Sequence, residues 1–207
     1  MAGDDEDFDA DLADRGDDRP GVDEANDDDF SALGLDDDLD DDDDDYPDDA
    51  GEDEIDLVVA LYREDGTPVV QSLELDLAND LDALIEALRR MPGDAGTVGM
   101  VSIDQDVFVI VRVRGRVVQL MLSDSIAAQD WPIARDAVDY LGVDAPDEED
   151  DSEPVGDLDL FADVGLPEME MEAICEESDD SLEALEEIGE KLGFGKALSK
   201  IVAALDL

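Results

Sequence analysis

Few side chains in this sequence have both the type and the spacing to do chemistry. The clearest are three arginines, Arg112, Arg114 and Arg116, at alternate positions in the stretch VRVRGRVV. Residues two apart share one face of a strand. This spacing therefore lines up three guanidiniums at a hairpin end, with Arg114-Gly115 as the turn. Such a row can dock an acidic group, including acidic stretches of the same chain; the plainer reading is a solvated turn. Trp131, the one tryptophan, precedes Pro132. It reads as a staple holding the following helix to a core, or as an interface hot spot. These four residues, Arg112, Arg114, Arg116 and Trp131, are the candidate partner-binding set. Cys175 lies between Ile174 and Glu176 with no nearby base to activate it, and reads as packing.

What is missing narrows the chemistry further. There is no histidine and only one cysteine, so imidazole-based nucleophile activation and the usual zinc ligand sets are excluded. No internal disulfide can form. Neither glycine-rich phosphate fingerprint is present, and no glycine has the spacing of an EF-hand loop. With 65 Asp and Glu, any pairing of carboxylates for acid–base work is uninformative. No catalytic residue, metal ligand or cofactor is assigned.

The formal charge is −53, with 12 Lys and Arg against those 65 acids. Phosphate backbones are bound by lysine and arginine that displace counterions, so direct nucleic-acid binding is not expected. Anionic membrane surfaces are disfavoured for the same reason. Basic proteins and cations are the natural attractors. The start of the chain lacks a basic and then apolar leader, and no apolar run approaches the ~20 residues of a membrane helix. A soluble cytoplasmic protein is expected, of undetermined oligomeric state.

The charge is unevenly spread. Residues 1–54 hold 28 acids and 2 bases, residues 55–142 hold 15 and 7, and residues 143–207 hold 22 and 3. The first stretch, which includes LDDDLDDDDDDYPDD from Leu35 to Asp49, has its large apolar residues too far apart to offset roughly 1–2 kcal/mol of backbone entropy per residue. It reads as a disordered, solvating acidic tail. Residues 143–156 read as an acidic linker.

The elements that must position the candidate residues lie between these stretches. IDLVVALY, the Asp65-Gly66 turn signal and VVQSLEL read as a hairpin with a loop of three to five residues. Asn79 reads as the cap of a helix whose apolar stripe is Leu81, Leu84, Ile85 and Leu88. Three more strands follow: TVGMVSID, DVFVIVRV and RVVQLMLSD. The middle one is apolar on both faces. Pro132 opens a second helix that Gly142 ends. The expected fold is α+β, a small antiparallel sheet in the order β-β-α-β-β-β-α with helices on one face, spanning residues 55–142. Residues 157–207 read as a short all-helical segment, with Asp180 and Glu183 as a capping pair. Alone it is a marginal bundle, free to dock on the sheet or on a partner.

Taken together, YREDG (62–66), LDALIEALRRMPGD (81–94), VSIDQDVFVIVRVRGRVVQLMLSD (101–124), DWPIARDAVDYLG (130–142), GDLDLFADVGL (156–166) and EEIGEKLGFG (186–195) resemble the bacterial tRNA adenosine deaminase-associated proteins. The resemblance implies a non-enzymatic accessory protein with a protein partner, the wobble-adenosine deaminase of tRNA. It carries over no functional residue. The deaminase's own zinc chemistry needs H-x-E and P-C-x-x-C, and this chain has neither. The rival expectation is a free-standing binding module with another partner and a purely solubilising tail.

Overall fold

The computed structural model describes residues 46–93, 96–144, 152–178 and 180–205. Most of the acidic tail and part of the acidic linker lie outside these residues. Six strands form one antiparallel sheet: β1 (Ile55–Glu64), β2 (Thr67–Ser72), β3 (Thr97–Ile103), β4 (Val107–Arg114), β5 (Val117–Leu122) and β6 (Val155–Gly156), in the spatial order β2-β1-β3-β4-β5-β6. The helices are α1 (Leu81–Arg89), α2 (Pro132–Leu141), α3 (Glu168–Glu177), α4 (Ser181–Lys191) and α5 (Gly195–Val202). The class is α+β, as the sequence predicts. None of the helices among the described residues is long and apolar enough to cross a membrane.

Strand alternation sorts the core into two clusters. On one face Val58, Ala60, Val101, Val109, Val111 and Leu120 meet α1 and α2 through Leu84, Leu88, Ile133 and Val138. On the other, Leu57, Val59, Leu61, Met100, Phe108, Ile110 and Met121 meet Phe161, Met171, Leu185, Ile188 and Leu198 from the C-terminal third. The helical segment thus covers the second face of the sheet, in addition to the one-face cover by α1 and α2. Isolated helices this short are marginal in water and gain their stability from packing an apolar face. The apolar underside of the sheet supplies the complementary surface.

Some local details depart from the sequence reading. The β1–β2 connection is a two-residue turn with Asp65 and Gly66 at φ 51° and 79°, because pairing continues out to Glu64 opposite Thr67. Both residues sit in the left-handed region that suits tight hairpins. The cap of α1 is Asp80, which accepts from the Ala83 amide at 2.8 Å. Asn79 instead clasps Ala50: its side chain accepts from Ala50 N at 2.8 Å and donates to Ala50 O at 3.0 Å. Residues 46–54, counted with the tail on composition, are therefore tied to the folded part. Within the span read as a linker, Val155 and Gly156 add the sixth strand, opposite Leu122 and Met121.

The outer strand β2 is an edge. The bond from Leu73 N to Val58 O fixes the phase of the β1–β2 ladder, so Pro68 faces outward, where its missing N–H leaves no donor.

Candidate functional site

The arginine row is only partly assembled as its spacing suggests. Arg112 and Arg114 share the second face, the one under the C-terminal helices. Arg112 is buried at 7% exposure. It donates a two-pronged bond to Asp163, at 2.5 and 3.0 Å, and another to the Leu160 carbonyl. Its guanidinium stacks 5.5 Å from the centre of the Phe161 ring. Arg114 donates to the same Asp163 at 3.0 Å and to Gln119 at 2.9 Å. Bidentate arginine–carboxylate pairs are the geometrically specific kind. The acidic group that this pair of arginines docks is thus supplied by the same chain. The two guanidiniums hold the Asp163 carboxyl below the usual carboxylate range, chiefly through the Arg112 hydrogen bond.

Arg116 lies exposed in the β4–β5 turn and makes no ion pair with a described residue. Trp131 immediately precedes α2 and packs half-buried on the opposite face of the sheet. Its backbone carbonyl accepts from Ala134 and Arg135 at 3.1 and 3.0 Å. It therefore does not join the arginines. Cys175 is partly buried, and burial with Glu172 and Glu176 pushes its thiol up to about 11. A thiol with that value is protonated at neutral pH and unreactive.

The third guanidinium at this end of the sheet is that of Arg63, on β1. Cross-strand register pairs Leu61 with Val98 and Val98 with Arg112. One step toward the sheet end, the same register sets Arg63, Gly96 and Arg114 in a second row. Arg63 donates to the Leu192 carbonyl at the end of α4 at 3.0 Å and lies 4.9 Å from the centre of the Phe194 ring. Two glycines make room. A Cβ on Gly96 would collide with the Arg114 side chain and the Val113 carbonyl, and one on Gly193 would crowd the Arg63 guanidinium. The sequence signal for Arg63 was its parity with Leu57, Val59 and Leu61. Placing it beside Arg112 requires the register of three strands.

At the other end of the same face lies a buried polar network. Asp56 accepts from the Ser102 hydroxyl at 3.0 Å and from Gln105 N at 2.7 Å. The Ser102 and Ser181 hydroxyls are 2.6 Å apart, and Ser181 N donates to Gln105 O at 3.0 Å. A register shift between Ile55 and Leu57 is a bulge of the kind that re-aims a side chain. Gln105, at φ 57°, is held in the left-handed region by these bonds on both sides of its peptide unit. The network fastens the start of α4 to β1, β3 and the β3–β4 turn. Among the described residues no three cysteine, aspartate or glutamate side chains converge as a metal site.

A model of one protein family matches residues 56–195, and its description is Rv3753c-like tRNA adenosine deaminase-associated protein. The chain belongs to this family. Protein Rv3753c of Mycobacterium tuberculosis (strain ATCC 25618 / H37Rv) is 33% identical over 151 residues, which span 71% of this chain and 87% of that protein. No solved structure matches. The family match begins at the Asp56 bulge and ends at Gly195, so it takes in the sheet, both polar clusters and α4. Most of α5 and the acidic region before Asp56 fall outside it.

Proposed function

We propose that this protein is a non-enzymatic accessory factor that binds a basic protein surface, that of the tRNA wobble-adenosine deaminase for which its family is named. The observation that carries the reading is how the charge is used. Arg112 and Arg114 close on an internal carboxylate, and Arg63 is turned under the C-terminal helices onto a carbonyl. The surface presented to partners is dominated by the remaining acids of a chain with charge −53. An enzyme that handles tRNA needs a cationic surface. A polyanion is drawn to that surface by long-range attraction. There the acidic tail competes with non-specific RNA and keeps the complex soluble.

The test is association of the purified full-length chain with the purified deaminase, followed by light scattering at low and high salt. A complex that forms at low salt and weakens as salt rises supports the reading. Absence of a complex at either salt, with the deaminase folded and active, removes it. Deleting residues 1–45, which leaves the Ala50 clasp intact, separates the roles of the tail. Loss of salt dependence assigns the binding to the tail; unchanged binding assigns it to the folded part.

A further inference from the structure

Arg63 and Arg112 line a cavity of about 190 Å³ whose walls include Leu61, Val98, Phe161, Leu192 and Phe194, and Arg114 follows Arg112 on the same face of β4. The cavity is anomalous in its charge. Three guanidiniums converge on one sheet end, and Asp163 is the one described carboxylate paired with any of them. In a chain carrying 65 acids, Arg63 has no described carboxylate within ion-pair distance. It is half-buried, held in place by the Leu192 carbonyl and the Phe194 ring.

Two other concavities among the described residues differ from it. A larger open groove of about 1230 Å³ runs along α4 and α5. It is wide, and two of the three glutamates that line it are already engaged: Ser199 donates to Glu186 at 2.6 Å, and Lys191 lies 3.3 Å from Glu187. A hollow of about 250 Å³ beside Asp80 and Asp136 is lined by carboxylates that already accept bonds from Ala83 N, Leu81 N and Tyr46.

We propose that the cavity between Phe161 and Phe194 is a binding site for a carboxylate carried on a compact apolar or aromatic body. The body enters against Leu61, Val98 and the two rings, and the carboxylate meets the Arg63 fork at the rim. The aromatic ring on one side and the helix-end carbonyl on the other fix the plane of that fork, so little rotamer freedom is lost on binding. Gly96 keeps the floor between Arg63 and Arg114 open; any side chain there would strike Arg114. Pockets of this composition, apolar walls with a few convergent polar groups, are the usual form of small-ligand sites.

The chemistry has two sources, a free small acid or the C-terminal residue of a polypeptide, and the experiment separates them. Full-length protein with labelled arginine side chains and methyl groups is titrated with 3-phenylpropanoate, with its neutral amide, with acetate, and with Gly-Gly-Phe as free acid and as amide. The expected result is saturable shifts of the Arg63 Nε–H and of the Leu61 and Val98 methyls with 3-phenylpropanoate, at least about tenfold weaker with its amide and with acetate. Tighter binding of Gly-Gly-Phe free acid than of 3-phenylpropanoate assigns a chain end as the source, and the reverse order assigns a free acid. Arg63→Gln weakens binding at least about tenfold. Val164→Trp at the half-exposed rim blocks entry without touching either arginine anchor, and reports on the site should Arg63→Gln lose its fold. No shift at millimolar acid, equal shifts with the acid and its amide, or undiminished binding to folded Val164→Trp protein overturns the proposal.

Discussion

The two faces of the sheet are closed in different ways. The first is covered by α1 and α2, which adjoin the strands in the chain and meet them through aliphatic side chains such as Leu84, Leu88, Ile133 and Val138. The second is covered by helices from the C-terminal third, and its apolar contacts are pinned by polar groups at both ends. Asp56, Ser102 and Ser181 fasten the start of α4; Arg112 and Arg114 fasten the segment around Asp163. The difference shows what each cover needs. Helices that follow directly from strands are placed by short connections. A cover brought from a distant part of the chain is placed by directional bonds, which fix its register where oily contact alone would let it slide.

The comparison breaks most severely if the second cover is removed. A chain ending at residue 142 exposes Leu57, Leu61, Met100, Phe108 and Ile110 together, each of which is at most 3% exposed in the intact fold. A patch of that kind marks association or unfolding. The truncated chain is expected to lose its cooperative thermal transition and to aggregate, as read by circular dichroism and size-exclusion chromatography. A soluble, cooperatively melting fragment would show the first cover to be sufficient.

Point changes then sharpen the contrast. Leu84→Ala on the first face leaves a cavity and is expected to cost about 2–5 kcal/mol. Arg112→Ala on the second leaves the Leu160 carbonyl unpaired and is expected to cost about 1–3 kcal/mol. Denaturant unfolding measures both. Only the Arg112 cost should depend on the partner: in an Asp163→Asn background it should shrink. Independence of the two changes would deny the pin.

The smallest effect is in pH. Asp163 is held below its ordinary value of 3.8 by Arg112 and Arg114. The stability it contributes is complete above that ordinary value. It is lost as the pH falls through the lowered folded value. The gap in melting temperature between the native chain and Asp163→Asn should therefore be open at neutral pH and close in acid. The gap will be modest, since the Asp163 side chain is 49% exposed and solvent screens such pairs.

These faces also differ in how far the sequence discloses them. The stripe Leu81, Leu84, Ile85, Leu88 and the Pro132 start are local signals, and both helices form where periodicity puts them. Strands apolar on both sides, IDLVVALY and VFVIV, announce that two covers are needed. The sequence puts helices on one face of the sheet and leaves the C-terminal helices unplaced, because nothing local says where they dock. The site was less legible still. Arg112 and Arg114 were found by spacing, but Arg63 is 49 positions before Arg112 and joins it only through Val98. Asn79 and Asp80 are both residue types that cap helices, and the local sequence does not choose between them. The choice turns on Ala50, which is too distant for a local rule to see.

The outward proline on β2 has a consequence for crowding. Repulsion keeps strongly acidic molecules apart at low ionic strength, but salt screens it over ~8–10 Å. At that point a bare sheet margin becomes the adhesive part of the molecule. A neighbouring strand laid along this margin meets a pyrrolidine ring where it needs a donor, at Pro68, and that deficit does not change with salt. Discretion toward copies of itself is thus built into the backbone as well as the charge, and it persists when the charge is silenced.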